Sequence, residues 1–124
     1  MIIWKETTFD SCHRLENTEQ CNYGKCNNFH GHTYKLQVGV EGHPKEETGM
    51  VINFVDLKKV MEELKELVDH KNLNDAMKDV EEDYDCVTTC ENMSLSFQRW
   101  FQKRFPLNKI HIRLWETPTS FVEV

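Results

Sequence analysis

The sequence lacks the long apolar run that a membrane-spanning segment requires. A transmembrane helix needs about 20 consecutive apolar residues. Here the hydrophobic residues, 39% of the 124, are interspersed with charged residues that make up 29%. The start, MIIWKETTF, also lacks the basic stretch and following apolar stretch of a secretory signal peptide. We therefore expect no membrane partner.

Positive charge is scarce as well, with 15 Lys and Arg against 21 Asp and Glu and a net charge of −6. Nucleic acids and anionic membranes are bound through basic faces, so no nucleic-acid partner is expected, although a local basic pocket for a small anion stays open. The five cysteines are an odd number, which argues against the disulfide scaffold of a secreted protein. We expect a cytoplasmic protein whose thiols are free for packing, metal binding or catalysis.

The pattern of apolar residues predicts one α+β domain, 1–124. Residues 2–13 are rich in β-branched and aromatic types, and apolar residues alternate with polar ones from 30 to 40, so both segments are predicted strands. Apolar residues at spacings of three and four predict helices over 54–69 and 90–104. Two short strands follow. The predicted order is β-β-α-α-β-β, with two helices on one face of an antiparallel sheet.

The segments between these elements are polar, and residues 14–29 and 70–87 are predicted to be irregular. Asn53 is a candidate N-cap of the first helix. Thr88 begins the Thr-x-x-Glu pattern of a capping box at the second helix. The predicted apolar side of this second helix consists of Leu95, Phe97, Trp100 and Phe101.

Two histidines suggest a metal site. His30 and His32 are two residues apart on a predicted strand, so both side chains lie on its apolar face. Buried imidazoles are costly unless a partner satisfies them, and zinc, which prefers histidine nitrogen, would do so. His13 ends the first strand and would be the third ligand if the two strands pair. For the pair alone, hydrogen-bonded histidines without metal are an equally good interpretation.

The cysteines offer a second metal hypothesis and a catalytic one. Cys21, Cys26, Cys86 and Cys90 could form a structural four-cysteine site, but their spacings are looser than the usual CxxC pairs. Cys26 also lies four residues before His30. A thiol near zinc or an imidazolium is readily deprotonated and becomes a usable base or nucleophile. An inert loop thiol is the simpler interpretation.

Three further residues could contribute chemistry. Asp69 and His70 end the first predicted helix, where a carboxylate can orient an imidazole for catalysis. A helix C-cap beside a surface histidine is the alternative. Glu116 ends the penultimate predicted strand, where its carboxylate could hold a 2-amino-4-oxo heterocycle by paired hydrogen bonds. The alternative is an exposed residue at the end of a strand.

Six segments occur in an order that resembles one family. They are FDSCH, CNNFHGHTY, GMVINFVDLK, DHKNLN, TCEN and WET, which begin at residues 9, 26, 49, 69, 89 and 115. Together they span nearly the whole chain, and a Cys-x3-His-Gly-His segment followed by Asp-His-x-x-Leu-Asn is specific. The chain resembles the 6-pyruvoyltetrahydropterin synthase / 6-carboxytetrahydropterin synthase family.

The resemblance implies a tunnelling fold (T-fold) and a set of functional residues. It implies a zinc ion with the ligands His13, His30 and His32. It implies a catalytic triad of Cys26, Asp69 and His70. It implies a pterin pocket with Glu116 as the anchor of the ring and a lining segment that includes Thr89 and Glu91. Three residues depart from the family pattern: Asn53 where Asp is usual, Thr88 where Pro is common, and Cys90 where Ser or Ala is common.

The resemblance also implies a reaction and an assembly. Three residues separate Cys26 from His30, as in the bacterial queuosine-pathway enzyme, whereas animal pyruvoyl synthases have a longer interval. The implied reaction converts 7,8-dihydroneopterin triphosphate into 6-carboxy-5,6,7,8-tetrahydropterin, acetaldehyde and triphosphate, with Arg14 and Lys25 as candidate cations for the triphosphate. A pyruvoyl-type triphosphate lyase and a zinc-stabilised binding module without turnover are the alternatives. A ring-like homo-oligomer, commonly a hexamer with active sites between subunits, is implied.

Overall fold

Alternating apolar residues form a four-stranded antiparallel sheet in the order β1-β2-β3-β4. The computed structural model describes residues 1–124. Its strands are β1 (Ile2–His13), β2 (His30–Glu41), β3 (Lys109–Thr117) and β4 (Ser120–Glu123). Its helices are α1 (Phe54–Val68), α2 (Leu73–Val80) and α3 (Cys90–Arg104), and a 3-10 helix, Gly24–Asn27, precedes β2. The predicted α+β class is confirmed, and none of the helices has the length and apolarity to cross a membrane.

The hydrophobic core lies between the sheet and the helices. Along β2 every second side chain from Tyr34 to Val40 is buried, as the alternation predicted. α1 contributes residues at spacings of four, three and four, which place one stripe of the helix against the sheet; they are Leu57, Met61, Leu64 and Val68. These residues belong to one cluster of 22 buried side chains, so the face of the sheet that carries the predicted histidines is the one the helices cover.

Helix α2 lies in a region that was predicted to be irregular, and this prediction is wrong. Asn72 caps the helix, because its side-chain oxygen accepts a hydrogen bond from the amide of Asn74 at 3.1 Å. Its apolar residues are all buried, namely Leu73, Ala76, Met77 and Val80. The helix has only eight residues, which is about two turns. An apolar pattern this short is hard to distinguish, in the sequence, from that of a polar loop.

The start of α3 also differs from the prediction. Thr89, not Thr88, is the N-cap, and its hydroxyl accepts a hydrogen bond from the amide of Asn92 at 3.4 Å. Thr88 is 1% exposed and contacts another part of the protein. Leu95 is 42% exposed and does not belong to the buried face. The predicted cap of α1 is confirmed, since the side-chain oxygen of Asn53 accepts a hydrogen bond from a backbone amide in the first turn of the helix.

The segment after α1 docks against the free edge of β1. The amide of His70 donates to the carbonyl of Asp10 at 2.6 Å, and the amide of Cys12 donates to the carbonyl of Lys71 at 3.1 Å. The carboxylate of Asp69 accepts from the amide of Asp10 at 2.9 Å. α1 therefore ends at Val68, one residue before its predicted end. His70 has a φ of 56°, a left-handed conformation that is uncommon outside glycine.

Candidate active site

Strand pairing brings the three predicted histidines together. His13 is the register partner of His30 across β1 and β2, and His32 lies two residues farther along β2. The ring centroids of His13 and His30 are 4.7 Å apart, and those of His30 and His32 are 4.9 Å apart. One ring nitrogen from each residue lies within 4.8 Å of the others. We call this group the histidine cluster.

Backbone carbonyls hold two of the rings in a defined tautomer. His13 donates from Nδ1 to the carbonyl of Thr88 at 2.8 Å, and His30 donates from Nδ1 to the carbonyl of Asn28 at 2.7 Å. A carbonyl can only accept, so Nδ1 carries the proton and Nε2 keeps its lone pair. Metal-binding histidines are commonly oriented in this way.

The third ring carries an unsatisfied nitrogen. Nε2 of His32 is buried and has no hydrogen-bond partner. It lies 3.3 Å from Oε1 of Glu116, but the two do not form a hydrogen bond of normal geometry. A buried polar atom without a partner costs free energy, and a metal ion coordinated at Nε2 would remove this cost. The donor set therefore fits zinc, which commonly takes three protein ligands and leaves a fourth position open in catalytic sites.

Burial favours the neutral form of two histidines of the cluster, His13 and His32. It lowers the pKa of His13, and the hydrogen bond to the Thr88 carbonyl offsets only part of this effect. Burial likewise lowers the pKa of His32, against a smaller opposing effect of Glu116. Removing a cation from water is unfavourable, so both rings release their protons more readily than in solution. Neutral imidazole is the form that binds metal.

The thiols form no comparable group. Across the whole chain, the histidine cluster is the single set of three or more His, Cys, Asp or Glu side chains whose ligand atoms converge. Cys21, Cys26 and Cys86 are exposed, and Cys90 is buried. The structure therefore does not support the four-cysteine hypothesis.

A cavity of 250 Å³ adjoins the cluster at the start of α3 and the turn between β3 and β4. Glu91 and Glu116 line it together with Cys90, and Thr89 caps the helix immediately before them. The 3.3 Å approach of Glu116 to His32 joins the cavity to the cluster. The thiol of Cys90 donates to a backbone carbonyl at 3.2 Å, and burial raises its pKa to about 12. This thiol is therefore neutral and a poor nucleophile.

The remaining predicted catalytic residues do not meet within one chain. Cys26 is exposed in the 3-10 helix, and its carbonyl accepts from the amide of Leu15 at 2.8 Å, which ties this loop to the end of β1. Asp69 and His70 form a pair with 3.0 Å between Oδ2 and Nδ1. The hydrogen bond from the amide of Asp10 is the main cause that holds the pKa of the Asp69 carboxyl below its usual range, and the hydrogen bond with His70 lowers it further. No hydrogen bond joins the Cys26 thiol to this pair.

His70 lines an open cavity of 540 Å³ with Asp10, Cys12 and Thr33, and His32 of the histidine cluster also contributes to its lining. Asp10, Cys12 and Thr33 alternate with the histidines along β1 and β2, so they belong to the face opposite the histidine cluster. The side chain of His70 is 77% exposed. Within one chain the Asp69–His70 pair thus lies at the edge of β1, where it binds the backbone of Asp10 and makes no hydrogen bond with the cluster.

The candidate triphosphate cations differ from one another. Nη2 of Arg14 lies 2.6 Å from a carboxylate oxygen of Glu16, and its guanidinium stacks 5.0 Å from the ring centre of Phe29. Lys25, next to Cys26, forms no ion pair.

Sequence reasoning missed the contact of Thr88 with His13, because a backbone carbonyl has no sequence signature and the threonine was explained by capping.

Comparison with known proteins identifies the family. The family model described as 6-pyruvoyl tetrahydropterin synthase matches residues 2–124. A 6-pyruvoyl tetrahydrobiopterin synthase from Poecilia reticulata is 41% identical over 97% of this chain and 86% of its own. A 6-carboxy-5,6,7,8-tetrahydropterin synthase from Haemophilus influenzae is 34% identical over 98% of this chain and 96% of its own.

The fold agrees with this match. The solved structure of Caenorhabditis elegans 6-pyruvoyl tetrahydropterin synthase superimposes with a TM-score of 0.85 at 30% identity, covering 100% of this chain and 94% of its own. The four antiparallel strands with helices on one face are the tunnelling fold that the sequence motifs predicted. The chain belongs to the 6-pyruvoyl tetrahydropterin synthase family.

Proposed function

We propose that the protein is a zinc-dependent synthase that converts 7,8-dihydroneopterin triphosphate into 6-carboxy-5,6,7,8-tetrahydropterin, acetaldehyde and triphosphate, as a step towards queuosine. The observation that carries the proposal is the histidine cluster beside the cavity that Glu116 lines. The carboxy-type reaction is supported by the interval of three residues between Cys26 and His30. It is also supported by the relative from Haemophilus influenzae that bears this name.

In this proposal the histidine cluster binds the metal and the adjoining cavity binds the ring of the substrate. His13, His30 and His32 would hold a zinc ion, which when bound would supply Lewis-acid stabilisation of negative charge on the substrate. Glu116 accepts paired hydrogen bonds from the amino-heterocycle and fixes the ring beside the cluster. Glu91 and the helix cap at Thr89 shape the rest of the cavity. Fixing the ring restricts which side-chain carbon reaches the reactive groups.

Proton transfer is assigned to the exposed groups. Cys26, as thiolate, removes a proton from the substrate side chain. His70 is held through Nδ1 by the carboxylate of Asp69 at 3.0 Å, which leaves Nε2 to exchange protons as the second acid–base group. The low pKa of Asp69 keeps this carboxylate ionised and able to orient the ring.

We further propose a ring-like homo-oligomer, a hexamer, in which the Asp69–His70 pair of one subunit serves the histidine cluster of a neighbour. The proposal is supported by the exposure of His70 and by the absence of a hydrogen bond between this pair and the cluster within one chain. Mixing inactive Cys26→Ala subunits with inactive His70→Ala subunits should restore part of the activity, because some mixed sites contain both groups. No recovery of activity in verified mixed oligomers would contradict shared sites.

Five unpaired cysteines support our placement of the enzyme in the reducing cytoplasm.

A pyruvoyl-type triphosphate lyase is the second candidate. It is supported by the Poecilia reticulata relative at 41% identity. Both reactions release triphosphate, but only the carboxy-type reaction cleaves a carbon–carbon bond and releases acetaldehyde. The deciding experiment incubates the zinc-loaded protein with 7,8-dihydroneopterin triphosphate and measures both products, with Cys26→Ala as the control.

Each outcome of this assay selects one function. Acetaldehyde released in equal amount to triphosphate supports the proposed synthase. Triphosphate without acetaldehyde supports the pyruvoyl-type lyase. Neither product, from a protein that has bound zinc, supports a binding module without turnover.

A further inference from the structure

Thr88 contacts the most deeply buried member of the histidine cluster. His13 is completely buried, and Thr88 is 1% exposed. The Nδ1 atom of His13 lies 2.8 Å from the Thr88 carbonyl oxygen and 3.3 Å from its hydroxyl oxygen. The two residues are 75 positions apart in the chain, so the contact links the end of β1 to the start of α3.

The hydroxyl of Thr88 has no other role in the structure. Thr89 provides the N-cap of α3, and the contact with His13 is the single hydrogen bond of the Thr88 hydroxyl. A buried hydroxyl without a partner would cost free energy. The Nδ1–H of His13 is therefore shared between two acceptors of the same residue: the carbonyl, which can only accept, fixes the proton on Nδ1, and the hydroxyl restrains the orientation of the ring.

The opposite end of the ring is also restricted. Nε2 of His13 lies 3.4 Å from the hydroxyl of Tyr34, and the ring of His30 is 4.7 Å away. In the other tautomer, the lone pair of Nδ1 would face the lone pairs of the Thr88 carbonyl in a buried environment, which is unfavourable. Only the Nδ1–H tautomer offers a free lone pair at Nε2, where the other two rings converge.

We propose that Thr88 is a positioning residue of the zinc site, whose carbonyl and hydroxyl together hold His13 so that Nε2 faces the metal. The inference rests on the zinc site of the proposed function and adds to it a residue outside the ligand set. Thr88 directly precedes the N-cap of α3, and it is therefore three residues from Glu91, which lines the neighbouring cavity.

The variants separate the hydrogen bond from packing. Thr88→Val keeps the carbonyl and the branched shape but removes the hydroxyl, whereas Thr88→Ser keeps the hydroxyl. Ser94→Ala is the matched control, because Ser94 is fully buried in the nearby helix α3 and its hydroxyl donates to the Cys90 carbonyl at 2.7 Å. This control loses a buried hydroxyl without touching His13.

Two measurements test the inference. Competition with a chelating indicator gives the zinc affinity, and two-dimensional proton–nitrogen spectra of the metal-free protein at slightly alkaline pH give the tautomer of His13. We expect Thr88→Val to weaken zinc binding about tenfold, at the lower end of the range for residues behind metal ligands, because the carbonyl remains. We expect His13 to keep its proton on Nδ1 in the wild type and in this variant, because both retain the carbonyl. Thr88→Ser and Ser94→Ala should match the wild type in both measurements.

The inference is overturned if Thr88→Val retains the wild-type zinc affinity, if His13 of the metal-free wild type carries its proton on Nε2, or if Ser94→Ala loses as much affinity as Thr88→Val. If the wild type binds no zinc at these histidines, the proposed function fails. The tautomer of His13 in the metal-free protein still tests the role of Thr88 in that case, so the two failures are distinguishable.

Discussion

Removing one ligand of the histidine cluster should abolish the stabilisation of the fold by zinc. His30 is half-buried at the start of β2, and its imidazole makes one hydrogen bond, to the Asn28 carbonyl at 2.7 Å. His30→Ala should therefore cost the metal-free protein only about 1 kcal/mol. A ligand that binds only the folded state stabilises it by RT ln(1 + [L]/Kd), about 4.1 kcal/mol at a concentration 1,000 times Kd.

The assay is urea unfolding followed by circular dichroism, with free zinc held by a metal buffer or removed by a chelator. In the wild type the free energy of unfolding should differ by about 4 kcal/mol between the two conditions. In His30→Ala the difference should fall close to zero, because two imidazoles alone bind zinc weakly. His43→Ala is the control, since His43 is exposed in the loop after β2 and its loss should leave the zinc effect unchanged.

One result would refute this reasoning. If zinc stabilised His30→Ala as strongly as the wild type, the metal would be held elsewhere. The cysteine thiols would then be the next ligands to test, although the structure does not cluster them.

Three further predictions concern the thiol, the pH dependence and the open face of the sheet. Cys26→Ala should abolish product release but retain zinc and fold, because the exposed thiol makes no hydrogen bond with the cluster; wild-type turnover in this variant would exclude a catalytic role. The metal-free protein should lose free energy of unfolding as the pH falls below about 6.5, since the unfolded chain takes up protons there while burial lowers the pKa of His13 and His32 in the fold. Urea titrations across this pH range test it, with a smaller loss expected for His32→Leu, and a flat profile would contradict it. Gly39→Ala should destabilise the protein by about 1–3 kcal/mol, because a Cβ there would lie 2.8 Å from the indole of Trp4. In a Trp4→Leu background this penalty, measured by urea unfolding, should disappear, and an unchanged penalty would point to the backbone instead.

The sequence predicted the histidine cluster because strand geometry has a fixed period. Side chains two apart on a strand share a face, so His30 and His32 had to point together. His13 could be added once β1 and β2 were paired, and the register places it opposite His30. The buried stripe of α1 follows from a comparable rule for helices.

Features that depend on tertiary contacts were not predictable in this way. Helix α2 is short and rich in Asn and Asp, and its stability comes from burying its apolar side rather than from propensity. The chain leaves α1 at Asp69 because the next residues pair with the edge of β1, an interaction between segments about 60 residues apart. Thr88 and Thr89 both suit an N-cap by type, and only packing against His13 distinguishes them.

The hydrogen bonds from the cluster to backbone carbonyls have a consequence for protein engineering. A carbonyl oxygen is present whatever the side chain, so substitutions at Asn28 would preserve the acceptor that orients His30 as long as the path of the chain is unchanged. Grafting three histidines onto another sheet would therefore not transplant the site. The graft would also have to carry the loop before β2 and Thr88, because the carbonyls of the main chain at these two places set the directions of the rings.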